Sequence, residues 1–160
     1  MSMMDEQEEI QIVDAPSLED FLSEADEIVE EMEEIFPAKA RADLTKMQEL
    51  VEAVGSDGAG ADEVTRIREI AHDLKGMGGS FGYQLVTEIC GSLNKYLIKL
   101  GEAEVFPNAK IIKAHLAATD TILTENIKGD GGESGGKVVG RLQDIVAAAV
   151  EAVEPAEPAE

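Results

Sequence analysis

Several things a protein can lean on are scarce in this sequence. There is no Trp, and only four Phe and two Tyr occur in 160 residues, so a core has to be mostly aliphatic. The single cysteine, Cys90, excludes an internal disulfide and makes a cytoplasmic location the expectation. Bases are few: 13 Lys and Arg stand against 34 Asp and Glu, a formal net charge of −21. That balance argues against nucleic acid, whose phosphates need cations, and against an anionic membrane surface. No apolar run approaches the ~20 residues of a membrane helix. Met1–Pro16 has neither the basic start nor the apolar stretch of a signal peptide, so a soluble chain without targeting segment is expected. What the chain does have is 44% hydrophobic residues, enough for a packed core.

The acid is unevenly spread. Met1–Phe36 holds 14 of the 34 acidic residues and no Lys or Arg. Residues 1–16 read as an acidic, flexible N-terminus, and 138–160 as a short helix followed by an acidic tail. Between them helical periodicity dominates. Ser17 and Asp20 resemble a capping box. Phe21, Leu22, Ala25, Ile28, Val29, Met32, Ile35 and Phe36 follow at helical spacing, and Pro37 is expected to end or kink this helix. Core helices are expected at 38–54, 62–80, 83–100 and 107–127. Gly101 suits a C-terminal cap and Pro107 a first turn. Residues 128–137 read as a Gly-rich linker. No alternating strand pattern occurs. The expected fold is all-α: an up-and-down antiparallel four-helix bundle, within 17–127, with additional N- and C-terminal helices.

His72 is the most informative residue. At ~100° per residue it points away from the apolar stripe of Val64, Ile67, Ala71 and Leu74. Arg68 lies one turn before it and Gly76 one turn after, Gly79 follows a turn later, and Lys75 borders the same surface. Each helical glycine costs ~1 kcal/mol relative to Ala, so stability alone does not favour Gly76, Gly78 and Gly79 together. Gly78 faces inward and suits close helix packing, and Gly82 suits a turn. Gly76 and Gly79 fit better the close approach of another surface to His72. The plainer alternative is a solvated surface histidine beside a fraying helix end.

The run His72-Asp73-Leu74-Lys75-Gly76-Met77-Gly78-Gly79-Ser80-Phe81-Gly82 resembles the histidine-containing phosphotransfer (HPt) family. The family pattern is His-x-Leu-Lys-Gly, a stretch of small residues, then a hydrophobic residue and Gly. The resemblance is strong over Ile67–Leu97 and extends as a helix pattern over Ala38–Ile127; Met77 and Gly78 depart from the more usual Ser or Ala. It implies a phosphorelay intermediate. His72 would accept a phosphoryl group from a receiver-domain phospho-aspartate or a sensor histidine kinase and pass it to a response-regulator receiver. Lys75 matches the family Lys that offsets phosphoryl charge, Gly76 the Gly that leaves room for the receiver, and Gln84 a Gln that orients the site in some members. Arg68, Gly76 and Gly79 would be docking positions. No cofactor is expected in the chain itself, the Mg²⁺ and the reacting Asp belonging to the receiver, and the chain is expected to act as a monomer. The chemistry agrees: a neutral imidazole is a nucleophile available near neutral pH, and phosphoryl transfer needs its charge dispersed by positioned cations.

Other motifs are weaker. Gly131–Lys137 fits the G-x-x-x-x-G-K of a phosphate loop, but Val138 stands where Ser or Thr should be and no strand precedes it. A carrier rather than an ATP-using kinase is therefore expected. His115 lies on the apolar face of its helix and reads as a hydrogen-bonded core residue; Cys90 reads as a small buried hydrophobe. Two His and one Cys offer no zinc spacing. Two other readings stand beside phosphotransfer. One is an acidic helical adaptor without covalent chemistry, and the other a phosphotransfer domain cut from a larger chemotaxis-type kinase.

Overall fold

The computed structural model describes residues 17–153, and every element among them is helical. Helix α1 runs Leu18–Val51, α2 Ala61–Gly78, α3 Gln84–Glu102, α4 Ala109–Thr124 and α5 Gly132–Val153, with a 3₁₀ turn at Gly79–Phe81. The expected flexible segment at 1–16 and the last residues of the tail lie outside the described residues. The chain falls into two units, one ending at Ile35 and the other beginning at Phe36, and α1 contributes residues to both.

In the first unit the Ser17 hydroxyl accepts from the Asp20 N–H at 3.1 Å, the N-cap half of the expected capping box. The apolar stripe that follows is largely exposed, including Phe21, Leu22, Ile28 and Val29.

Pro37 neither ends the helix nor opens a second one, contrary to the expected break before 38–54: it sits inside α1. An interior proline costs ~3 kcal/mol through its missing N–H and its ring clash. Phe36 and Ala40 on either side of it are buried and offset that cost. Phe36 stacks on Phe81 with ring centroids 5.3 Å apart and lies 5.6 Å from the Tyr83 ring.

The second unit buries one aliphatic cluster. Ala40, Leu44, Met47, Val51 and Val54 enter it from α1 and its end, and Ile67, Ala71 and Leu74 from α2. Helix α3 is the central element. It packs against α2, α4 and α5, and it buries Leu85, Val86, Ile89, Leu93 and Leu97. Polar bonds fasten the ends of the helices. The Arg41 guanidinium donates to the Leu123 carbonyl at 2.7 Å, at the end of α4, a carbonyl that also accepts from the Asn126 N–H at 3.3 Å. The Tyr96 hydroxyl accepts from the Asn108 N–H at 2.8 Å.

Three details differ from expectation at helix ends. Gly101 lies inside α3, and the left-handed position that closes it is Glu104, φ 57°. Pro107 precedes α4, whose N-cap is Asn108, its side chain accepting from the Lys110 N–H at 2.8 Å. The Gly-rich stretch is not a linker through to 137, because α5 starts at Gly132. Asp130 accepts from the Gly132 N–H at 2.9 Å, and a side chain at Gly135 would collide with the Asp130 carbonyl and with Leu85. Cap and close packing outweigh the poor helix propensity of glycine here. Among the described residues no helix is long and apolar enough to cross a membrane.

Candidate functional site

The site is built on α2. Its apolar stripe fixes its rotation: Ile67, Ala71, Leu74 and Gly78 are buried, which leaves Arg68, His72, Lys75 and Gly76 exposed. His72 lines an open groove of about 290 Å³ with Arg68, Glu69, Asp73, Asn94 and Ile98. Arg68 and His72 therefore share one concave surface, walled on its far side by α3.

Asn94 is the buried polar residue of this groove, and periodicity and motif both miss it. It is 5% exposed, and its amide donates to the Arg68 carbonyl at 3.2 Å. In the helical ladder that carbonyl also receives the His72 N–H, four residues on. Asn94 thus ties the turn that carries His72 to α3. The signal available in the sequence is a polar side chain beside Leu93 on the buried face of α3.

Lys75 sits one turn on from His72. The methylenes of its side chain lie against α3 at Gly91, where an added Cβ would stand 3.7 Å from Lys75 Cδ. Its ammonium is free of any ion pair among the described residues. The turn that follows is fastened by Thr87. The Thr87 hydroxyl accepts from the Gly79 N–H at 2.7 Å and donates to the Lys75 carbonyl at 2.9 Å.

The glycines separate into two kinds. A Cβ at Gly78 would lie 2.8 Å from Thr87 Oγ1 and 3.0 Å from the Thr87 nitrogen, so this glycine is demanded by the close approach of α3. Gly79 also faces Thr87, at 3.4 Å, and Gly82 adopts φ 88° in the turn. Gly76 is different: a Cβ there would meet nothing within 4 Å. Nothing among the described residues requires glycine at that position.

Gln84 is not brought to His72. It is exposed at the first position of α3, about 15 Å along the helix axis from Asn94, and it does not line the groove. The residue of α3 that lines the groove with His72 is Asn94 rather than Gln84.

His115 and Cys90 are core residues. His115 is fully buried, with Nδ1 2.8 Å from the Ile111 carbonyl and Nε2 2.9 Å from the Ser92 hydroxyl. A carbonyl can only accept, so Nδ1 carries the proton and Nε2 accepts from Ser92. Burial pushes this imidazole below the ordinary range, the Ile111 bond opposing it in part. Burial likewise pushes the Cys90 thiol up to about 12, which removes it from thiolate chemistry.

A family model described as Hpt domain matches residues 17–122, well over half of the chain, from α1 through most of α4. Helix α5 lies beyond the matched residues. Comparison with curated proteins and with solved structures gives no match.

Proposed function

Because the chain belongs to the Hpt domain family, whose members serve as histidine phosphotransfer intermediates of phosphorelays, we propose that His72 is its phosphoryl-accepting residue. The observation that carries this reading is the exposed imidazole in an open groove, one turn from a glycine where a Cβ would meet nothing within 4 Å among the described residues. The donor is the phospho-aspartate of a receiver domain or the phosphohistidine of a sensor kinase, and the acceptor is a response-regulator receiver.

The step we assign to His72 is a direct displacement. A ring nitrogen of the neutral imidazole attacks phosphorus, the bond from phosphorus to the aspartyl oxygen breaks, and the carboxylate leaves with that electron pair. The other ring nitrogen keeps its proton. Such a transition state is loose and spreads charge over the equatorial oxygens. We assign Lys75 and Arg68, exposed within about one turn of His72 on α2, to meet that charge, and Asn94 to position the His72 turn. The receiver supplies Mg²⁺ for the same purpose. The fold we assign to the core is the up-and-down bundle of α1 from Phe36 onward, α2, α3 and α4. The Arg41 bond to Leu123 and the short α2–α3 connection support it.

The test is label transfer from a phosphorylated receiver to the full chain. Wild type acquires acid-labile, base-stable label, and His72→Gln acquires none. Undiminished labelling of His72→Gln overturns the assignment.

A further inference from the structure

Leu18–Ile35 carries nine acidic residues and no base, yet it also presents large apolar side chains to solvent. Phe21, Leu22, Ile28, Val29, Met32 and Ile35 are each between 46% and 61% exposed. At ~100° per residue they fall in one sector about 140° wide. The spacing is heptad-like: Phe21, Ile28 and Ile35 repeat at seven, as do Leu22 and Val29. A seven-residue repeat is the pattern that winds two helices together. Both edges of the sector are acidic, with Glu19 and Asp26 on one side and Glu24 and Glu31 on the other.

A patch this contiguous on a soluble helix marks an interaction surface, and its charge decides what can cover it. A second copy would set carboxylates against carboxylates along both edges of the seam, where coiled coils need opposite charges. An anionic bilayer meets the same repulsion. We propose that Leu18–Ile35 is a docking helix for a partner protein, and that the partner presents an amphipathic helix with a Leu/Ile seam edged by Lys or Arg. The seam supplies the affinity and the charged edges select the partner. This surface shares no residue with the His72 groove, and the proposal does not depend on the phosphotransfer reading.

Three labelled synthetic helices of three heptads test it by fluorescence anisotropy with the full chain. The first has a Leu seam edged by Lys. The second keeps the Lys and replaces the Leu by Ser, and the third keeps the Leu and replaces the Lys by Glu. The first is expected to bind more tightly than either control by about tenfold or more. Phe21→Ala with Ile28→Ala should reduce it to the level of the Ser-seam peptide while helix content by circular dichroism is unchanged, since alanine keeps helix propensity. Equal binding of the Ser-seam peptide shows charge alone at work and overturns the proposal, as does undiminished binding by the double variant. So does a homodimer in analytical ultracentrifugation that the double variant disperses, or association of this helix with phosphatidylcholine vesicles in preference to the first peptide.

Discussion

At Gly76 stability and function are expected to part. It lies inside α2, two residues before its last, with nothing among the described residues within 4 Å of where a Cβ would be. Gly76→Ala therefore adds no clash and removes unfolded-state freedom. The expected gain is about 0.5–1 kcal/mol, the usual helical difference between the two residues. For a protein of this size that raises the melting temperature by about 3 °C. Gly76→Gln keeps most of the gain, because Gln is also a good helix former. Its longer side chain stands where a receiver would have to come to reach His72. Displacing reacting groups by about 1 Å costs about a hundredfold in rate, so transfer to Gly76→Gln should fall by at least tenfold. The assays are thermal melts followed by circular dichroism, and the initial rate of label transfer from a phosphorylated receiver. A more stable Gly76→Gln that accepts phosphoryl groups at the wild-type rate would refute close approach at this glycine. A less stable Gly76→Ala would refute the open space itself.

Three further outcomes follow from the structure. Gly135→Ala should destabilise by about 2 kcal/mol through overpacking against Asp130 and Leu85, while its neighbour Gly136→Ala, which meets nothing within 4 Å, should gain up to about 1 kcal/mol; urea titrations read both. Lys75→Ala should leave the urea midpoint nearly unchanged, because the side chain is exposed, and slow transfer by about ten- to a hundredfold, the worth of a charge-assisted bond to the phosphoryl group. His115 is held neutral in the fold, its acidity shifted below the ordinary value. The unfolded chain takes up that proton as pH falls below ~6.5, and the folded chain resists, so stability is full above ~6.5 and is lost on acidification. The loss from this one group is at most about 2 kcal/mol by pH ~5. His115→Gln should lack that component, and an unchanged pH slope in the variant would count against it.

The rotation of α2 is legible in the sequence because Ile67, Ala71 and Leu74 keep the helical period without interruption, and His72 is placed by that same period. Helix ends are less legible. Pro37 is a strong local breaker, but whether it breaks a helix depends on Phe36 finding Phe81 and Tyr83, which lie far along the chain. Glycines 132, 135 and 136 read as linker for a similar reason. Their compensation comes from Leu85 and the Asp130 cap, and no window of neighbouring residues contains both. Gln84 and Asn94 show the limit on the site itself. A motif resemblance selected the first, whereas its distance along α3 excludes it from the groove. Asn94 has no periodic signature, since it is a polar residue inside an apolar face. Only its bond to the Arg68 carbonyl reveals what it does.

The segment after α4 has a bearing on how the chain acquires this shape. Gly129 donates to the Gly82 carbonyl at 2.8 Å, Asn126 accepts from the Tyr83 hydroxyl, and the Lys128 ammonium lies 4.7 Å from the centre of the Tyr83 ring. These contacts close a long loop containing the whole of α3 and α4, at an entropic cost of about 3 kcal/mol. Helix α5 begins only three residues beyond the closure. Its glycine-rich first turn has little helix propensity of its own and needs Leu85 already in place. Docking of α5 is therefore expected late in folding. Substitutions at Gly135 or Val146 should speed unfolding while leaving the folding rate almost untouched.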